Sequence, residues 1–380
     1  MSILYIIIQR ERERERERER GEDSRMRQIG FHNREKEIKE IKNLLDAEPS
    51  LITFVYGPIN SGKTALINHL IEQLSDDYVI FYINLRTKFL ASYDDFIESL
   101  FEMELETEET NRKRKETLKE LISSVTKVTG IPINREFLDH VFKDKKPKNA
   151  FSYIIKLFEA VRDSGKQPVL VLDELQKIGD VKVNGPLIYE LFNFFIDLTK
   201  ELHLAHVFVI SSDSLFIERV YSEAMLEGRC RYLLVDDFDC ETATTFLEKH
   251  GFTDDEKATA WEYCGGKPVC LIEVVNSEKR EDKAKEMLMI RISEMKTTLK
   301  RVKELGSKIC IEDKSYSVRY AELIDALKHF AEREEIDIDE MDEISTTFLV
   351  KKNVLFVDPV RGVIKPQSRL NLHAIREVIN

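Results

Sequence analysis

Five cysteines in 380 residues, the first at position 230 and no two spaced Cys-x-x-Cys, are too few and too scattered for a disulfide scaffold or a zinc ribbon. A reducing compartment, and so a cytoplasmic protein, is the expectation. No apolar run approaches the ~20 residues that a membrane-spanning helix needs. The run nearest the N-terminus, ILYIII, has no basic leader before it and no small-residue cleavage site after it, which makes it a poor signal peptide. An excess of positive charge is missing too. The 58 Lys and Arg face 70 Asp and Glu, and a net charge of -12 argues against a surface that coats nucleic acid, leaving room only for a local basic face. What the chain does have is apolar residues, 42% of the total and ample for packed cores; its length implies two or three domains.

Residues 10–20 read RERERERERER. On a helix this repeat sets opposite charges three apart but like charges four apart, so the pairings partly cancel. On a strand every Arg would lie on one face and every Glu on the other. Neither arrangement buries anything, and residues 1–25 are expected to be a solvated tail. Being nearly charge-neutral, the repeat is a poor membrane or nucleic-acid arm. Met26 stands where globular patterning begins, which also fits a start codon assigned too early.

From there the pattern alternates. Ile38, Ile41, Leu44 and Leu45 recur at helical spacing, and Pro49 closes that helix. LITFVY (residues 51–56) reads as a buried strand, TALINHLIEQL as a helix, and YVIFYINL (78–85) as a second buried strand. Residues 86–165 are charged and helical in pattern, interrupted near TGIPINRE. PVLVLDE, AHVFVISS and RYLLVDDF supply three more strands, with a helix through LIYELFNFFIDLTKEL. Buried strands alternating with helices predict an α/β fold with a parallel sheet sandwiched by helices. After Phe238 the strand runs stop, and residues up to 306 read as helices, one of them long and charged. The end reads as two helices followed by two short strands around Pro359 and Gly362, which suggests a winged helix. The expected domains are thus the tail (1–25), a P-loop NTPase domain (26–238), an all-helical lid (239–305) and a C-terminal winged helix (306–380).

YGPINSGKTAL (residues 56–66) fits Gly-x-x-x-x-Gly-Lys-Thr without mismatch. Gly57 and Gly62 let the backbone curl so that successive N–H groups point inward at phosphate oxygens. The cradle would run over Gly57, Pro58, Ile59, Asn60, Ser61, Gly62, Lys63, Thr64 and Ala65. Lys63 can bridge the β- and γ-phosphates of ATP, the Thr64 hydroxyl can ligate Mg2+, and the following helix points its positive end at the same anion. PVLVLDELQ supplies the other half. Asp173, at the carboxyl end of a buried strand, would hold Mg2+ through its water shell; Glu174 would polarise an attacking water as general base. Ser211 and Ser212 end the next strand, where a hydroxyl can orient the water or sense γ-phosphate, or equally cap the following helix. His203 and His206 stand three apart but without acidic or cysteine partners, so a structural role is expected. Cys264 and Cys270 read as packing residues.

These motifs, in this order, resemble the archaeal ATPases related to the signal-transduction ATPases with numerous domains and to the origin-recognition ATPases. FHNREKEIKEI is similar to that family's Arg-Glu opening motif, YGPINSGKT to its P-loop and LVLDELQ to its magnesium motif. EGRCRYLLVDDF resembles its arginine-bearing segment, CGGKP the Gly-x-Pro element of its helical lid, and LVKKNVLFVDPVRGVIKPQS its terminal wing. The resemblance implies an ATPase that uses Mg2+, with Arg229 reading γ-phosphate charge and Pro268 packing against adenine. It also implies that Asn33, Arg34 and Glu35 lie near the base or ribose, although many relatives have Gly where this chain has Asn33.

A wing can contact DNA or protein, and the fold alone does not choose. Acidic EREEIDIDEMDE sits where a recognition helix would begin and would repel phosphate. Lys351, Lys352, Arg361, Lys365 and Arg369 gather around the predicted hairpin and would attract it. The expectation is a nucleotide-controlled switch with slow hydrolysis, its winged helix contacting a protein partner, itself or the rest of the chain. A DNA-binding protein whose ATPase sets its conformation is the alternative.

Overall fold

The computed structural model describes residues 29–88, 90, 92–103, 127–133, 147–178, 187–222, 226–311 and 314–380; the expected tail, 1–25, lies outside them. The chain divides into two units, Met1–His32 and Asn33–Asn380, and the elements below belong to the second. Strands β1 (Ile52–Tyr56), β2 (Tyr78–Asn84), β3 (Phe101–Met103), β4 (Lys127–Thr129), β5 (Ile131–Ile133), β6 (Gln167–Asp173), β7 (His206–Ser211) and β8 (Cys230–Leu234) follow one another along the chain. Six of them form one parallel sheet in the order β4-β2-β6-β7-β1-β8.

The apolar runs are unbroken because both faces of this sheet are covered. All five residues of β1 are buried, with Phe54 and Tyr56 on one side and Val55 on the other. The first side packs on the helices Pro147–Asp163 and Leu187–Ile196 through Ile154, Phe158, Leu191 and Phe195. The second packs on the helix Lys63–Gln73 through Leu66, Ile67, Leu70 and Ile71, with Ile41 of the helix Glu35–Leu45. Each such large side chain contributes about 1.5–3 kcal/mol by leaving water.

The five strands expected from apolar runs form where the runs lie. The sixth, β4, has no such run, and neither has the small parallel pair β3–β5. These are three-residue pieces within a charged stretch, too short to show a period of two.

Beyond β8 come the helices Cys240–Lys249, Asp254–Cys264, Pro268–Val275 and Arg280–Leu305, as expected. The C-terminal part opens with an antiparallel hairpin that the sequence pattern does not announce, β9 (Ser307–Ile311) and β10 (Lys314–Val318). β11 (Ile336–Asp337) then joins the expected hairpin, β12 (Leu355–Asp358) and β13 (Val363–Pro366), in a three-stranded sheet. The acidic stretch around β11 thus forms an edge strand and a 3-10 turn, Ile338–Glu340, ahead of the helix Glu343–Lys351. Helices Tyr320–Lys328 and Glu343–Lys351 match expectation, and a last helix, Arg369–Ile379, closes the chain. Met295, Leu299 and Val302 of the long helix pack with Leu327, Phe348, Leu355, Ile364 and Ile375 in this part's own core.

Phe356 of β12 is different, for it inserts into the core of the parallel sheet. Next to it, the Tyr56 hydroxyl donates to Asp358 Oδ1 at 2.8 Å, and Val357 N donates to Ser214 Oγ at 3.3 Å. The C-terminal hairpin is seated on the end of the sheet where β1 runs into the Gly-rich loop.

Candidate active site

Parallel strands carry their carboxyl ends to one edge, so the loop after Tyr56, the acids ending β6 and the serine ending β7 meet there. Tyr56 pairs with Ser211, and Asp173 with Ile210. Gly57, at φ 153°, lies so close to the backbone that a Cβ would stand 2.2 Å from Val235 O. Any other residue would push the loop off the sheet. The helix Lys63–Gln73 follows a left-handed Gly62, has no side-chain cap and has no acid in its first turn. Its first N–H groups and the positive end of its dipole are left for an anion.

Lys63 is buried and folded back into its own loop, donating to Gly57 O at 3.0 Å, Pro58 O at 2.7 Å and Ser61 Oγ at 3.3 Å. Burial pushes its pKa down to about 7, helped by the neighbouring Lys267 ammonium. The sign of the linkage follows. Above pH 7 the free side chain is mostly neutral, and a phosphate bound beside it pulls the pKa back up, so binding must take up a proton. Calorimetry in buffers of different ionisation enthalpy should show uptake near one proton at about pH 8.5, fading as pH falls through the free-state value. Uptake that does not change across this range would place Lys63 away from the phosphates.

Asp173 is buried, and Oδ2 accepts from Thr64 Oγ1 at 2.9 Å and from the Tyr82 hydroxyl at 2.8 Å. Oδ1 is buried with no hydrogen-bond partner among the described residues. Burial raises this carboxyl's pKa. A buried, half-satisfied carboxylate beside a threonine hydroxyl is a hard-oxygen donor set that fits Mg2+, and Thr64 and Asp173 are the residues that would hold it.

Glu174 occupies the left-handed region at φ 64°, a conformation that costs a non-glycine residue about 1–2 kcal/mol. Its Oε1 pairs with Arg86, and its Oε2 accepts from Gln176 Nε2 at 2.5 Å. Gln176 Oε1 in turn accepts from Ser211 Oγ at 3.0 Å. Ser211 is thereby connected to the acid. Neither serine caps the next helix, because Asp213 Oδ1 takes the N–H groups of Leu215 and Phe216. Ser212 lies half-buried beside this network.

Arg34 is buried against the loop, donating to Ser61 O at 2.8 Å and Asp236 O at 2.6 Å, with its guanidinium 4.7 Å from the Phe238 ring centre. It braces the phosphate loop directly. Pro268 starts the helix Pro268–Val275, but the residue that reaches the loop is its neighbour Lys267, which donates to Ile59 O at 3.0 Å and pairs with Asp237 at 2.9 Å. Gly266 makes this approach feasible, since a Cβ there would fall 1.7 Å from Phe238 O.

Arg229 is not brought to the site. Its carbonyl accepts Ile52 N at 3.0 Å, at the start of β1, and the five residues onward to Gly57 span about 16 Å of extended chain. It lies at the amino ends of the strands, opposite the ends that carry the loop. His203 and His206 are structural: His203 Nδ1 is 2.6 Å from Pro49 O, and burial lowers the His206 pKa to about 4. Among the described residues no group of three or more His, Cys, Asp or Glu could hold a metal, and no helix is long and apolar enough to cross a membrane.

Sequence reasoning misses Arg86, Gln176, Tyr82, Lys267 and Gln367. Lys267 stands inside the quoted CGGKP, and Tyr82 and Arg86 flank the end of a strand that is placed beside β6 only once the strand order is known. Gln367 carries no signal; its Oε1 accepts Ile59 N at 3.1 Å.

The chain is similar to known proteins over most of its length. Residues 31–274 match the family model described as an ATPase domain predominantly from Archaea. Residues 281–379 match a second, described as the C-terminal domain of uncharacterized ATP-binding proteins that are MJ1010-like. An uncharacterized ATP-binding protein of Pyrococcus abyssi is 49% identical over 352 residues, 92% of this chain and 98% of the relative. Another, from Methanocaldococcus jannaschii, is 47% identical over 360 residues, 92% and 97% of the two chains. Among solved structures, a Walker-type ATPase of Pyrococcus abyssi superposes with TM-score 0.60 at 16% identity, covering 92% of this chain and 97% of its own, a likeness of fold.

Proposed function

Because this chain belongs to the ATPase family found predominantly in Archaea, we propose that it binds ATP and hydrolyses it slowly with Mg2+, acting as a nucleotide-controlled switch. In this reading residues 26–238 are the ATPase domain, 239–305 its lid and 306–380 a winged-helix domain. Lys63 leaves the Gly57 and Pro58 carbonyls to follow the β- and γ-phosphates. Mg2+, when bound at Thr64 and near Asp173, supplies charge neutralisation of the phosphate oxygens. Glu174 takes the proton of the water that attacks the γ-phosphorus, and ADP departs. Each Glu174 oxygen accepts from one partner, Arg86 or Gln176, which orients the carboxylate and leaves a lone pair for the water.

The observation that carries the switch is at Ile59, the third residue of the loop. Its carbonyl is held by Lys267 of the lid and its N–H by Gln367 of the C-terminal part. Any shift of the loop on binding a third phosphate is felt by both. A ligand moves such a device only through differential affinity for its two states. Wild-type protein should therefore show about a 10-fold difference in protease cleavage over residues 240–304 between ATP and ADP, the range of ordinary coupling energies. A Lys267→Ala, Gln367→Ala double variant should lose that difference. Equal protection by both nucleotides in the wild type would remove the switch and leave simple turnover.

The geometry favours intramolecular contact over DNA for the basic residues of the hairpin. Lys365 pairs with Asp236, Lys351 Nζ donates to Cys310 O, Arg361 bridges to Glu335, Arg369 donates to Glu262 O, and Lys352 lies over the Phe348 ring. Turnover stimulated by DNA, with strongly salt-dependent affinity, would restore the other reading.

A further inference from the structure

Tyr82 takes no part in the chemistry above, yet its hydroxyl touches the most consequential carboxylate in the molecule. The parallel register sets Tyr82 opposite Val171 and Asn84 opposite Asp173, so Tyr82 and Asp173 project from the same face of adjacent strands. The phenol is buried, and its hydroxyl donates to Asp173 Oδ2 at 2.8 Å. From the other side Lys127 Nζ lies 4.9 Å from the ring centre and is tied at 3.0 Å to Asn68 Oδ1, on the helix that follows the loop.

The distribution of donors on Asp173 is uneven. Two hydroxyls, Thr64 and Tyr82, converge on Oδ2, while Oδ1 has none among the described residues. A carboxylate buried only for stability would be expected to share its donors between both oxygens, since an unpaired buried oxygen costs about 1–3 kcal/mol. The two donors also differ in kind. Thr64 lies in the first turn of the helix that follows the Gly-rich loop, and its oxygen is itself a candidate metal ligand. Tyr82 stands in β2, an interior strand hydrogen-bonded on both sides, and is not part of the loop.

We propose that Tyr82 is a positioning residue for Mg2+, pinning Asp173 by Oδ2 so that Oδ1 remains the free oxygen for the metal and its water. This rests on the Mg2+-dependent ATPase reading and adds a residue that the Gly-rich loop and the strand-end acids do not name. A side chain that orients a metal-binding group commonly changes metal affinity 10–100-fold when removed.

The test separates metal from nucleotide. Tyr82→Phe removes one oxygen and keeps the ring. Mn2+ titrated into the protein–ADP complex and followed by electron paramagnetic resonance should bind about 10–100-fold more weakly than in wild type. Affinity for ADP in EDTA should stay within about two-fold, because the loop amides and Lys63 are untouched. Equal Mn2+ affinity in both proteins overturns the proposal alone. A wild-type complex that binds no Mn2+ overturns the parent reading as well, so the two failures are distinguishable. If Tyr82→Phe does not fold, wild-type protein with labelled tyrosine decides: the Tyr82 hydroxyl proton should stay protected from exchange before and after Mg2+ is added to the ADP complex. Loss of that protection on metal binding would overturn the role.

Discussion

Lys63→Ala is expected to abolish ATP binding, raising Kd by about 100-fold or more. The ammonium is the mobile cation at the loop, and hydrogen bonds to a charged group contribute about 1.5–3 kcal/mol each, so two lost phosphate contacts account for that factor. The variant also leaves the Gly57 and Pro58 carbonyls without their donor. Those carbonyls are buried, so some stability is lost with the donor, but neither apolar face of the sheet includes Lys63, and both should survive. The measurement is titration calorimetry with MgATP, accompanied by thermal unfolding to show that the fold persists. Binding at wild-type affinity would show that phosphate is held elsewhere, and with it would go the assignment of the whole loop.

Glu174→Gln should have the second largest effect, with ATP still bound but single-turnover hydrolysis slowed by about 100- to 10000-fold, the range for loss of a general base. The amide has the carboxylate's shape and can keep a hydrogen bond to Gln176, but it cannot accept the water's proton and loses the ion pair with Arg86. The comparison is phosphate release from a preformed ATP complex on adding Mg2+. A wild-type rate in the variant would mean that the base lies elsewhere and that the left-handed backbone at Glu174 serves packing alone. Because binding and chemistry separate in this experiment, it complements the lysine variant.

Both residues are legible in the amino-acid sequence, and the reason is local. The Gly-rich loop works through its own backbone, and its spacing must be contiguous for the amides to converge. Asp173 and Glu174 are legible because a buried parallel strand reads as an apolar run, and acids that end such a run stand at the carboxyl ends of the strands. Even Lys267 and Pro268 are marked by the glycines before them, although which of the two reaches the loop is not. Arg229 shows the limit. Its segment resembles a γ-phosphate reader, but β8 runs parallel to β1, so a residue before that strand is carried to the amino ends of the strands, opposite the loop.

By itself, then, the sequence determined the alternation of strands and helices, the phosphate loop, the paired acids and the switch to helices after β8, because each depends on residues adjacent in the chain. The tertiary structure alone decided the strand order that sets Tyr82 and Arg86 beside the acids of β6. It alone seated Phe356 in the core of the parallel sheet and brought Gln367 onto Ile59. These contacts join residues separated by 88 to 308 positions. No periodicity or spacing can encode such a meeting, since it follows from how whole covered faces pack and from which loop end is left open to receive a side chain.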